Sequence, residues 1–157
     1  MMSSPEFMIA WFQKVIGKKL VLVNALFHVL GSERGSSPQE ISFQFDASEP
    51  GRLYCGSDGA SICFSLSPIV GCELGEYGEQ VVYCISSESC FSNVVGDRLI
   101  SASSINSSAE EAIVGISLSF YKGCQLSVLN LGDELYVYGE VPEEIIISEG
   151  LEFISVS

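Results

Sequence analysis

The chain contains one histidine, His28, and six cysteines, at positions 55, 63, 72, 84, 90 and 124. A thiol becomes a nucleophile when a neighbouring base takes its proton, and His28 is the only imidazole that could serve. It sits inside Leu26-Phe-His-Val-Leu30, an apolar run of strand character, where an imidazole more often satisfies a structural hydrogen bond than works on a substrate. The cysteine spacings include no Cys-x-x-Cys, so the paired ligands of a tetrahedral zinc site are missing. In a chain of this size most of the thiols read as small buried hydrophobes. There is no Gly-rich phosphate loop, no Gly-x-Ser-x-Gly elbow and no His-Glu-x-x-His. The sequence therefore assigns no catalytic residue, no metal and no cofactor.

The remaining chemistry-bearing constellation is Asn130-Leu-Gly-Asp-Glu-Leu-Tyr-Val-Tyr138, followed by Gly139-Glu-Val-Pro-Glu-Glu144. Asp133, directly after Gly132, fits a turn in which its carboxylate bonds the backbone two residues on, and Asp58 recurs in an earlier stretch. Asp133 and Glu134 make a poor acid pair for hydrolysis, because neighbours on a strand point to opposite faces while glycosidase-type work needs two carboxylates facing across a pocket. Glu134, Tyr136 and Tyr138 alternate onto one face instead. With Glu140, Glu143 and Glu144, which have no local duty that the sequence reveals, they form an acidic edge with aromatic area, the composition of a protein interface. These six residues are the candidate partner-binding set.

Charge points the same way. Residues 1–52 carry five acids and five bases, whereas from Leu53 onward 15 acids face two bases, Arg98 and Lys122, so the formal charge of −13 belongs to the last two thirds. A field of one sign selects partners of the other. A cationic protein is expected; nucleic acid and anionic membrane, which select for Lys and Arg, are not. Residues 1–7, Met-Met-Ser-Ser-Pro-Glu-Phe, read as a cloning remnant and are set aside. No apolar run approaches the length of a membrane span and no export signal follows Met8, so a cytoplasmic location is expected.

The elements that must position the acidic edge are written twice. At an offset of 75, Ile41-Ser-Phe-Gln-Phe45 meets Ile116-Ser-Leu-Ser-Phe120, Leu53 meets Val128, Asp58 meets Asp133 and Ile62 meets Val137. Upstream, at an offset of 79, Phe12, Gly17 and Leu20 meet Phe91, Gly96 and Leu99. The pattern predicts a β-rich α+β fold: two copies of a short helix plus an antiparallel strand meander, packed as one domain over 8–157 with halves 8–85 and 86–157. The helices are expected at 8–16 and, capped by Ser86 or Ser87, through Cys90, Phe91 and Val94 to Gly96. Strands are expected at 19–30, 40–46, 51–56 and 60–66, then at 80–85, and in the second copy at 98–105, 113–121, 125–131 and 134–138, with alternating apolar residues marking one buried face. The tail from Ile145 reads as a β-prone edge strand protected by Glu143, Glu144, Glu149 and Glu152.

Val95-Gly-x-x-Leu99, Gly115-Ile-x-Leu-x-Phe120, Gly123 and Leu126-x-Val-x-Asn130-x-Gly-Asp-Glu-Leu135 to Pro142, about a third of the chain, resemble small bacterial immunity proteins encoded beside polymorphic or contact-dependent toxins. That resemblance implies a cytosolic, non-enzymatic inhibitor that binds one cognate toxin domain, in many cases a nuclease with a basic cleft. Two other expectations compete with it: an acidic secretion chaperone holding an unfolded segment, and a carboxylate-based hydrolase.

Overall fold

Ile41, Phe43 and Phe45 are fully buried while Glu40, Ser42 and Gln44 between them are half-exposed, the alternation of a strand with one face on a core. The same holds for Ile116, Leu118 and Phe120. A computed structural model, which describes residues 4–156, builds these stretches into two antiparallel sheets of a β-rich α+β fold. The chain runs α1 (Ser4–Val15), β1 (Leu20–Leu30), β2 (Glu33–Arg34), β3 (Glu40–Phe45), β4 (Gly51–Cys55), β5 (Ile62–Ser65), β6 (Cys72–Glu73), a 3₁₀ turn (Gly75–Tyr77) and β7 (Glu79–Cys84). It continues with β8 (Leu99–Ser107), β9 (Ala112–Phe120), β10 (Gln125–Asn130), β11 (Leu135–Tyr138), α2 (Glu143–Glu149) and β12 (Leu151–Ser155). Among the described residues, no helix is long and apolar enough to cross a membrane.

The sheets share one strand order. In the first it is β5-β4-β3-β1-β7-β6, with β2 added on β1; in the second it is β11-β10-β9-β8-β12. Each is a four-strand meander whose chain then returns to place a strand beside the first one. Registers coincide as well. Leu20 pairs with Phe45 and Leu99 with Phe120, Val23 with Phe43 and Ala102 with Leu118, and a register shift falls at Leu20/Leu22 and again at Leu99/Ser101. Inner faces of both sheets, α1 and the residues before β8 feed one apolar cluster, in which Trp11 lies 5.8 Å from Phe45 and 5.3 Å from Phe64 between ring centroids.

The two sheets are joined at a seam built from residues 17–20 and 96–99. Gly17 N–H donates to Leu99 O at 2.7 Å and Gly96 N–H to Leu20 O at 2.7 Å; Leu20 N–H donates to Asp97 O and Leu99 N–H to Lys18 O, both at 3.0 Å. These four bonds exchange under the 79-residue offset, so a local two-fold axis passes through the Lys19–Arg98 bridge. The recurrence of glycine in both copies now has a reason: Gly17 (φ 87°) and Gly96 (φ 93°) both occupy the left-handed region that a side chain disfavours.

Three expectations need correction. The second copy has no helix at 86–96. It is a chain of turns, in which Phe91 N–H reaches Glu88 O and Val94 N–H reaches Phe91 O, and Cys90 at φ 73° breaks any helical continuation. The tail does not begin as a strand: 143–149 is α2, opened by Pro142 and the acids Glu143 and Glu144, and stopped by Gly150 in the left-handed conformation. Three consecutive isoleucines suggested a strand, but Ile145 and Ile146 fit a helical face that packs on a second cluster of Ile105, Val114, Leu129, Val141 and Leu151, behind the second sheet. The offset of 75 also fails in the last meander strand. Cys55 pairs with Ile62 and Asn130 with Leu135, so Ile62 corresponds to Leu135, not Val137, because the β4–β5 loop is longer than its counterpart. Residues 4–7, set aside as a cloning remnant, form the first turn of α1, where Phe7 lies 5.5 Å from Phe64; residues 1–3 are outside the described region.

A Cβ at Gly17 or Gly96 would meet nothing within 4 Å, so any loss on substitution is conformational. Gly17→Ala and Gly96→Ala are each expected to lower stability by about 1–2 kcal/mol. Gly139→Ala, outside the left-handed region, is expected to stay within about 0.5 kcal/mol of the parent when all three variants are compared by urea titration.

Candidate functional site

The acidic edge is held by a four-residue hairpin turn at 131–134. Leu131 N–H donates to Glu134 O at 2.9 Å, while Gly132 (φ 63°) and Asp133 (φ 68°) both take positive φ, as a type I′ connection requires. Asn130 is 2 % exposed, and it fixes the turn with both ends of its amide: Oδ1 accepts from Asp133 N–H at 2.9 Å and Nδ2 donates to Ser61 O at 2.9 Å, across to the β4–β5 loop of the other sheet. The Asn-x-Gly-Asp stretch is thus a structural unit. Asp133 enters it through its backbone and its left-handed φ, whereas Asp58 acts through its carboxylate. Asp58 Oδ1 accepts from the N–H groups of Ala60 and Ser61 and from the Ser61 hydroxyl, which holds its pKa below the usual carboxylate range. The two aspartates do not perform the same turn chemistry.

β11 lies at the edge of the second sheet. Its alternation sends Leu135 and Val137 to the main core and Tyr136 and Tyr138 to the opposite face. The tyrosine rings stack, with centroids 6.3 Å apart and planes 8° from parallel, and Tyr136 Oη donates to Glu134 at 3.2 Å. That bond, followed by the charge of Glu134, pushes the Tyr136 phenol pKa up. Glu134, Tyr136 and Tyr138 are therefore brought together as expected from their spacing. Glu140 is exposed just beyond the strand, beside Gln125. Glu143 and Glu144 are exposed in the first turn of α2, where their charge favours the positive end of the helix. That helix-start position is one the sequence had not assigned to them.

The sequence did not expose the other side of β11, where two adjoining clefts open. One, of about 480 Å³, is lined by His28, Cys55, Asp133 and Glu134 and by the β2–β3 loop; the other, of about 420 Å³, by Phe27, Arg34, Glu88, Phe91, Tyr136 and Val137 among others. Arg34 stacks over the Phe27 ring at 4.0 Å and is held bidentately by Glu88 at 3.0 and 3.1 Å. Only the long, turn-rich connection Gly31-Ser-Glu-Arg-Gly-Ser-Ser-Pro38 hinted at this feature.

The one histidine and a cysteine thus meet in a single cleft, yet their electrostatics oppose thiolate chemistry. His28 Nε2 lies 2.6 Å from the Tyr77 carbonyl, an engagement that requires a proton on that nitrogen. Burial, with Asp133, Cys63 and Glu134 adding to it, pushes the Cys55 thiol up to about 11. The expectation of buried thiols is not met, since Cys72 and Cys84 are exposed and the other four half-exposed; Cys84 is the contrast to Cys55, lowered in pKa by its hydrogen bonding with Ser86. Among the described residues, no group of three or more His, Cys, Asp or Glu could hold a metal ion.

Comparison with protein-family models, curated proteins and solved structures finds no match to the chain. The reading of the site therefore rests on its residues.

Timed alkylation with iodoacetamide at pH 8, followed by peptide mass spectrometry, is expected to modify Cys84 first. Cys55, with about a thousandth of its thiol ionised at that pH, should come last unless the chain is unfolded. Equal rates for the two in the native protein would contradict the described environment of Cys55.

Proposed function

We propose that the protein is a non-enzymatic binder of the toxin-immunity type, which neutralises a cationic bacterial toxin domain in the cytosol by covering its active or substrate-binding surface. The observation that carries this reading is the stacked Tyr136–Tyr138 pair with Glu134 bonded to it on the outer face of β11. Rigid aromatic area supplies affinity at small cost in side-chain entropy, and the carboxylates of Glu134, Glu140, Glu143 and Glu144 supply the field that attracts and selects a basic surface. After Lys122 the chain holds no base to cancel that field. Against a nuclease, such an edge would stand where substrate phosphates are expected.

Catalysis is a weaker reading because burial holds the Cys55 thiol protonated and the Glu134 carboxylate is engaged by the Tyr136 hydroxyl. A chaperone differs from an immunity protein in outcome: its client keeps its activity when bound.

The test is co-expression of the chain with the product of the neighbouring reading frame in a toxin-sensitive host, scoring survival and co-purification at low and high salt. Rescue with a stable complex is the expected result. Tyr136→Ala with Tyr138→Ala should then raise Kd by about 30-fold or more, chiefly through faster dissociation. Neutralising Glu134, Glu140, Glu143 and Glu144 to Gln should slow association about tenfold and flatten its salt dependence. An unchanged Kd and an unchanged salt slope in these variants would move the contact surface elsewhere. Loss of rescue by the parent chain would remove the immunity reading itself.

A further inference from the structure

The local two-fold that relates the sheets also shows where they differ. In the first half, α1 packs on the edge strand β5 and reaches across to β8. Its Ser4 hydroxyl accepts from Phe64 N–H at 2.8 Å and donates to Phe64 O at 3.4 Å, closing the free edge of β5. Phe7 and Trp11 cover the Phe64 ring.

The second half repeats only the end of this arrangement. Phe91, Val94 and Gly96 occupy the places of Phe12, Val15 and Gly17, but the turns before Phe91 supply no counterpart to residues 4–11. The register makes Val137 the equivalent of Phe64, since Leu53 pairs with Phe64 and Val128 with Val137. Counting alternately from the Leu131–Glu134 bond, the peptide groups of Leu135 and Val137 turn away from β10 toward the open side. The cleft of about 420 Å³ lies there, bounded by β11, by Phe91 and by Phe27 of β1. α1 bridges β5 and β8, and the two-fold converts that pair into β11 and β1. The cleft is the vacant counterpart of the α1 seat.

We infer that this cleft receives a short amphipathic helical segment of a partner protein, with aromatic residues on its inward face and lysine or arginine on its outward face. The inward chemistry follows from the seat, which in the first half accepts Phe7, Met8 and Trp11. The outward chemistry follows from the charge beside the cleft: within it Arg34 and Glu88 pair with each other, so Asp133 and Glu134 of the adjoining cleft leave that end acidic. Helix-in-groove recognition of this kind needs only two or three inward anchors. Tyr136 borders both this cleft and the outer face, so the two readings share that residue; they are kept distinguishable by testing the cleft at Ser36 and Ser89, which are not among the outer-face residues.

The probe is a synthetic peptide with the sequence of α1, residues 4–15, carrying E6K and Q13K, titrated into the 15N-labelled full chain. Amide shifts are expected at Phe27, Phe91, Leu135 and Val137, and S89W, placed at an exposed position on the cleft rim, should weaken binding by about tenfold or more. S36W, on the opposite rim, repeats the test should S89W perturb the fold. A peptide retaining Glu6 and carrying Q13E should bind about tenfold less tightly at low salt. Shifts confined to Phe64 and the resident α1 seat, shifts unaffected by both tryptophans, or no saturable shift would each overturn the inference.

Discussion

Four reciprocal backbone bonds across the Lys19–Arg98 bridge are the constraint from which the rest of the structure follows. They fix the first strands of the two meanders at a common end, so both inner faces must close on one core, and they require the left-handed glycines that let each chain leave the seam. The side chains beside the seam reinforce it by opposite chemistry at equivalent places. Lys18 Nζ donates to Ala47 O at 3.3 Å, while Asp97, 5 % exposed, accepts from Arg98 N–H at 2.8 Å and Lys122 N–H at 2.9 Å. A lysine ties one turn by donating and an aspartate ties the other by accepting. The turn is secured in both halves, and the identity of the residue is free to change so long as the bond is made.

That freedom explains how a strongly acidic half can share a frame with a balanced one. The carboxylates of the last strand and its return lie on a turn, an edge or an end of α2, where solvent and salt screen them within about 8 Å. Asp97 is the buried exception, and both its oxygens are occupied by backbone donors. The frame is therefore indifferent to the charge excess, which points to a role outside folding.

Period-two alternation made the meander strands legible in the sequence, because a half-covered sheet writes its buried face directly into the chain: all nine expected strands occur within one or two residues at each end. What was not legible depended on backbone conformation or on distance in the sequence. Cys90 is an ordinary helix resident by type, and only its positive φ shows why 86–96 is turns. Ile145-Ile-Ile147 has β propensity, yet Pro142 before it and Gly150 after it mark a helix, and tertiary packing of Ile145 and Ile146 favoured the latter. At the candidate site, Glu134, Tyr136 and Tyr138 could be grouped from spacing alone. The cleft behind them could not, since Phe27, Arg34, Glu88 and Val137 come together only when the two sheets close.

β11 is a short edge strand of the second sheet, its outer face exposed at Tyr136 and partly covered at Tyr138 by the second cluster, and an edge strand invites pairing with another copy. Its charges argue against that outcome. In an antiparallel self-pairing centred on Val137, Glu134 of one copy would stand opposite Glu140 of the other, twice over, and directly opposed like charges destabilise a strand pair. A partner bearing lysine or arginine at those places meets the reverse situation at both ends of the strand. In the proposed reading the same two glutamates would discriminate between a second copy and a basic partner without any change in shape, and the stacked tyrosines between them would offer apolar area only to the surface that the charges admit.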